Sequence, residues 1–148
     1  MNLIQRKAQI TDLKAIVALL ADDKLGHSRE QSSNDLSQQY IDAFNAINKD
    51  TNQYLIVLCI GTKIIGTCHC TLMPSPTFTG STRMQIETVR VHSDARGQNI
   101  GQQVMELAMN WGKEHGAKIF QLTTNKEKPE YRLTTFLDKH NAYRAILS

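Results

Sequence analysis

The stretch Val89-Arg90-Val91-His92-Ser93-Asp94-Ala95-Arg96-Gly97-Gln98-Asn99-Ile100-Gly101-Gln102-Gln103 decides the fold. It opens at the end of an apolar run and closes inside a segment whose apolar residues Ile100, Val104, Leu107, Ala108 and Trp111 recur at helical spacing. Arg96–Gly101 therefore join a strand to the first turn of a long helix. Amides at a helix N-terminus lack intrahelical acceptors, and the helix dipole adds positive potential there. Such a junction suits an anion of the pyrophosphate kind. Gly97 and Gly101 let a ligand come close to the main chain, and Arg96 adds charge at the rim. No lysine follows Gly101, so a P-loop is excluded, and the glycine spacing does not make a Rossmann fingerprint. A nucleotide of another kind is implied.

Outward from this junction the chain alternates strand and helix signals. Arg83–Val91 reads as a strand leading in, Gly116 as the left-handed cap that ends the long helix, and Ala117–Thr124 as the strand after it. Upstream, Tyr54–Ile60 and Lys63–Met73 read as strands joined at Gly61-Thr62, and Pro74-Ser75-Pro76 opens a loop through Ser81. Leu3–Lys7 is a first short strand. Thr11 stands at an N-cap position before Leu13, Ile16, Val17 and Leu20, and a second helix is expected over Asp35–Ile47. A polar connection, 22–34, separates the two. Glu130–His140 reads as a last helix. The order is β-α-α-β-β-β-α-β-α, a mixed α/β class with helices on a central, mostly antiparallel sheet and one parallel crossover through the long helix.

Composition bounds the rest. The 148 residues fit one domain, 1–148, long enough to bury roughly 68–70% of its unfolded surface without metals or disulfides. Seventeen basic against fourteen acidic residues leave a charge of +3, too little to argue for nucleic acid. No apolar run reaches membrane length, and the N-terminal residues lack the apolar core of a signal peptide, so no membrane partner and a cytoplasmic location are expected. Three cysteines cannot all pair, which agrees with a reducing compartment. Cys68-His69-Cys70 is not a metal cluster on a strand, because His69 points away from both thiols. Buried free thiols are the better reading, and no metal is expected.

With these elements in place, the sequence resembles the GNAT superfamily of N-acetyltransferases, which take acetyl-CoA. The family motif is Arg or Gln, two residues, Gly, one residue, then Gly or Ala. Here Arg96-Gly97-Gln98-Asn99-Ile100-Gly101 carries Asn99 where the family usually has glycine, and asparagine tolerates left-handed backbone better than most residues. Arg6-Lys7-Ala8, Thr11-Asp12-Leu13, Lys63–Thr67 and Leu122–Asn125 extend the resemblance over about residues 3–130. It implies a GNAT-like fold and binding of acetyl-CoA as acyl donor. Amides of Gly97, Gln98, Asn99, Ile100, Gly101 and Gln102 would meet its pyrophosphate, with Arg96 at the rim. Val89 and Val91 would pair with the pantetheine arm and Asn125 would bond to it.

Glu87, on the strand leading to the loop, is the catalytic candidate, since several family members carry a glutamate base there. An amine acceptor with a pKa of about 10.4 is mostly protonated near neutral pH, and attack on a thioester needs the free amine. The plainer reading of Glu87 is that it orders water or pairs with a cation. His69 and His92 are alternative bases without a supporting motif. The resemblance also implies an oxyanion donor among the amides near Val89–Val91, where the family's strand commonly bulges. The expected activity is acetyl transfer from acetyl-CoA to a primary amine of a small molecule, peptide or protein by direct attack. The alternative is an acyl-CoA-binding regulatory module without turnover. Acceptor choice is expected from segments 22–38 and 74–82.

The family pattern fails after Asn125-Lys126-Glu127-Lys128-Pro129-Glu130. The family's acid tyrosine finds Thr134, Thr135 or Leu137 in its place, and Tyr131 and Tyr143 match no motif. Beyond the expected last helix, Ala142–Ser148 suffice for one strand. The sheet is thus expected to be shortened, with Ala117–Thr124 near an open edge that favours a homodimer.

Overall fold

The computed structural model describes residues 3–22, 36–123, 136–139 and 142–146. The elements are β1 (Leu3–Lys7), α1 (Leu13–Ala21), α2 (Gln38–Lys49), β2 (Gln53–Ile60), β3 (Lys63–Met73), β4 (Thr82–Val91), α3 (Ile100–Glu114), β5 (Ala117–Thr123), β6 (Phe136–Lys139) and β7 (Ala142–Ile146). They build one sheet in the order β1-β2-β3-β4-β5-β7-β6. Every neighbouring pair is antiparallel except β4–β5, the two strands joined through α3. The expected class and the order through β5 are those observed. Residues 124–135, among them Asn125, and most of the expected acceptor segment 22–38 lie outside the described residues.

Alternation along the strands gives each face its own core. Ile56, Leu58, Cys68, Cys70, Met84, Ile86 and Phe120 pack with Val104, Met105 and Ala108 of α3. On the other face Leu55, Val57, Cys59 and Ile64 pack with Ile16 and Val17 of α1 and Phe44 of α2. Full burial of each such side chain contributes about 1.5–3 kcal/mol, so the doubly covered strands β2 and β3 anchor the sheet. Phe44 and Met105 are core, as their helical spacing implies. Cys59 faces Ile64 across the β2–β3 turn, away from the other thiols. All three cysteines are buried and free.

Gly112 sets how closely α3 can lie on the sheet. A Cβ there would stand 2.6 Å from Phe120 Cε1 and 2.7 Å from Met84 Sδ. Helix propensity favours alanine by about 1 kcal/mol, but forced overpacking costs about 1–3 kcal/mol. Gly112→Ala is therefore expected to lower the melting temperature by several degrees, read by thermal denaturation. A variant as stable as the parent would mean that Phe120 and Met84 move aside freely.

Three expectations are corrected. Phe136–Lys139 form a strand, not the end of a helix over Glu130–His140: they pair with β7 from Phe136–Ala145 to Lys139–Ala142. The spacing of Leu133, Phe136 and Leu137 fits a helix face, but so short an apolar run reads equally as a strand once a partner satisfies its backbone. The sheet is consequently not shortened. β7 lies along β5 from Ile119–Ile146 to Thr123–Ala142, so the chain itself covers the edge on which a homodimer was expected. The N-cap also moves. Thr11 is exposed and lies inside a 3-10 turn, Ile10–Asp12, that leads into α1; Gln9 is the N-cap of that turn, and the buried Asp12 carboxylate accepts from the Gln9 amide at 2.7 Å. Arg6 reaches both oxygens of Asp12, at 2.6 and 2.9 Å, and holds its carboxyl below the usual range.

Candidate active site

The β4–β5 pairing sets the geometry. Their register runs from Thr82–Ala117 to Ile86–Leu122, and Glu87–Val91 of β4 continue past its last pair. At the same point β4 bulges against β3. Thr67 faces Arg90 and His69 faces Glu87, so Cys68 alone spans Thr88 and Val89. Thr88 takes a φ of 52°, a left-handed conformation uncommon for a β-branched residue. The extra residue shifts the alternation, so Val89 joins Ile86 in the α3-side core while Glu87 stays exposed on the other face. The apolar spacing Met84, Ile86, Val89, Val91, two then three then two, is the sequence signal of this bulge.

Beyond β4 the chain is tied down before it reaches α3. The His92 amide donates to the Ile65 carbonyl at 2.8 Å, and Lys63 meets Asp94 at 2.8 Å. The lysine holds the Asp94 carboxyl below its ordinary value. Ala95 is buried under the loop. Gly97 follows with φ 82° and Asn99 with φ 59°, so asparagine does occupy the left-handed position where the family motif has glycine. The Gln103 amide donates to the Asn99 carbonyl at 3.1 Å, the first bond of the helix. The amides of Ile100, Gly101 and Gln102 precede it and head the dipole, which is the arrangement an anion needs. Ile100 turns its side chain into the core, 1% exposed, and so offers only its backbone. Arg96 is exposed, and its guanidinium reaches back to Asp22, at 3.2 Å to the carbonyl and 3.4 Å to the carboxylate.

The exposed face around Glu87 is polar. Gln121 donates to Gln85 at 3.3 Å, and Arg83 donates to Thr77 at 2.6 Å beneath the exposed Phe78 ring. Phe78 and Thr79 both take left-handed backbone, with φ of 50° and 60°, in the loop expected to choose the acceptor. His69 is half-buried on this face, 2.6 Å from Gln53. His92, the other alternative base, is bound to the loop: its Nδ1 accepts from the Asp94 amide at 3.1 Å. Cys68 and Cys70 lie on the opposite face with thiols 4.0 Å apart, and the neighbouring thiol and burial together push the Cys68 thiol up. That disfavours a thiolate nucleophile. The sequence thus placed Glu87 and the loop, but it missed Thr88, Gln53 and Asp22.

Comparison with known proteins agrees with this architecture. No curated protein sequence matches the chain significantly. A transcriptional regulator from Bacillus halodurans C-125 is 44% identical, with a TM-score of 0.83 over 88% of this chain and 87% of that one. A predicted acetyltransferase with acetyl-CoA from Clostridium acetobutylicum superposes at a TM-score of 0.74, with 20% identity over 94% of this chain and 92% of the other. Glucosamine-6-phosphate N-acetyltransferase from Arabidopsis thaliana superposes at 0.69, with 22% identity over 84% of each chain. The model of the acetyltransferase (GNAT) family matches residues 14–134, which take in α1, the β4 bulge and the Arg96–Gly101 junction. The chain belongs to the GNAT acetyltransferase family.

Proposed function

We propose that the protein transfers an acetyl group from acetyl-CoA to a primary amine of a small molecule, peptide or protein by direct attack. The observation that carries this reading is the junction of β4 and α3. There a bulged strand that outruns its β5 partner leads into a helix N-terminus with left-handed residues at Gly97 and Asn99. In this reading the amides from Gly97 to Gln102 hold the pyrophosphate. The backbone of Val89 and Val91 meets the pantetheine arm, and Asn125 bonds to it. When bound, acetyl-CoA supplies the activated acyl group. Amides at the bulge stabilise negative charge developing on the acyl oxygen. Glu87, exposed beside the bulge, takes a proton from the acceptor's ammonium group. Cytoplasmic location fits a chain with three free thiols.

The similarity to a transcriptional regulator from Bacillus halodurans favours one second reading, an acyl-CoA-binding regulatory module that kept the cleft and lost turnover. Two measurements separate them. Acetyl-CoA is expected to raise the melting temperature under either reading, by about 2.7 kcal/mol of stabilisation at a hundredfold excess over Kd. Release of CoA thiol in the presence of an amine panel is expected only from the enzyme. Binding without release from any amine would favour the module, and no thermal shift would remove both.

A further inference from the structure

His69 stands across from Glu87 in the β3–β4 register. Directly opposed residues of an antiparallel pair share one face, with Cβ atoms about 4.5–5.5 Å apart. The tautomer of His69 can be read from its neighbours. Gln53 Nε2 donates to Asp50 Oδ2 at 3.1 Å, and a carboxylate only accepts. The amide of Gln53 is thereby oriented with its oxygen toward His69, at 2.6 Å from Nε2. An amide oxygen only accepts, so the ring hydrogen sits on Nε2 and the lone pair on Nδ1. Among the described residues Nδ1 has no hydrogen-bond partner. Asp50 is itself fixed by the Asn52 amide at 2.9 Å, so the chain Asp50–Gln53–His69 is anchored at its far end.

Among the described residues, the charges around the ring are few. Burial holds the imidazole below its ordinary value, and Glu87 opposes this in part. Lys14 of α1 and Asp42 and Lys49 of α2, on the helices that cover this face, are exposed and do not act on it. Arg83 and Arg90 follow the alternation of β4 onto the same face, but one is bonded to Thr77 and the other to the Val89 carbonyl. His69 is thus neutral near pH 7, with one acceptor nitrogen and one carboxylate opposite.

We propose that His69 is the proton partner of Glu87, its Nδ1 receiving the proton that Glu87 removes from the acceptor's ammonium group. The inference rests on the acetyl-transfer reading. One N–H bond of the ammonium breaks and its proton passes through the Glu87 carboxylate, directly or by one water, to Nδ1. The freed amine pair forms the C–N bond and the C–S bond breaks, its electron pair leaving on the CoA sulfur; a second proton from the attacking nitrogen passes to that thiolate, giving the amide and CoA thiol, and the imidazolium releases its proton to solvent. An imidazole is ordinarily a stronger base than a carboxylate and so lies closer to an ammonium donor.

Two measurements test this. The first follows the His69 ring by NMR, assigned by its loss in His69→Gln, in the parent and in Glu87→Gln. Removing the carboxylate is expected to lower the His69 titration midpoint by about half a unit or more. An unchanged midpoint would overturn the proposal whatever the activity. The second is His69→Gln itself, which keeps a donor for Gln53 Oε1 but has no Nδ1. It is expected to lower kcat by about 10²-fold and remove one ionisation from the pH profile of kcat/KM, with acetyl-CoA affinity unchanged. Parent-like kcat and profile would also overturn it. Failure of the parent to turn over any amine would instead overturn the transfer reading, and the NMR coupling, read without substrate, keeps the two failures apart.

Discussion

Glu87→Gln is expected to lower kcat by about 10²–10⁴ near neutral pH while leaving acetyl-CoA affinity nearly unchanged. The substitution keeps size and shape but removes the only function the reading asks of the residue, acceptance of a proton. Glu87 is exposed and lies on the face away from the α3-side core, so little packing is lost with it. Its backbone stays paired with His69, next to the bulge residue Thr88, whose geometry does not depend on the carboxylate. The expected phenotype is therefore a fall in kcat with normal binding and a normal melting temperature. Steady-state rates across pH, beside calorimetric binding of acetyl-CoA, measure both halves. A loss below tenfold with an intact pH profile would assign Glu87 to ordering water or pairing with a cation.

The parts of this site that were legible in sequence are those set by local rules. Periodicity switches from two to helical at Arg96–Gly101, and a helix must begin with unsatisfied amides whatever surrounds it. Asn99 at a left-handed position follows from the same local steric argument, and its φ of 59° bears it out. What failed was long-range. Helix and strand are degenerate for Phe136–Lys139 alone, and pairing with β7 decides between them. The expectation of an open edge at β5 fell with it. His69 carried no motif because its partners, Gln53 and Glu87, are sixteen and eighteen positions away and meet it only through the registers of β2 and β4. The β4 bulge lies between these cases. Its apolar spacing was in the sequence, but a single three-residue step reads as noise until the pairing with β3 shows that one residue is surplus.

Gly101→Val is expected to weaken acetyl-CoA binding by about 10²-fold or more, the loss of one or two hydrogen bonds to a charged group at about 1.5–3 kcal/mol each. Gly101 is the second residue of α3, and its amide is among those that head the helix dipole. A β-branched side chain there holds a pyrophosphate away from the neighbouring amides, and hydrogen bonds weaken steeply with distance and angle. Arg96→Ala makes the contrasting case. A charge near a helix end is worth about 0.3–1 kcal/mol, and Arg96 already spends its guanidinium on Asp22, so a two- to fivefold loss is expected. The order of the two effects identifies backbone, not side-chain charge, as the source of affinity. Gly112→Ala serves as a control, since it strains the far end of the same helix without touching the amides. It is expected to lower stability with little change in Kd. Calorimetry on variants shown to be folded by circular dichroism decides the matter. Equal affinity in the parent and Gly101→Val would remove the pyrophosphate from this helix end, and a larger loss in Arg96→Ala would move the site's affinity to its rim.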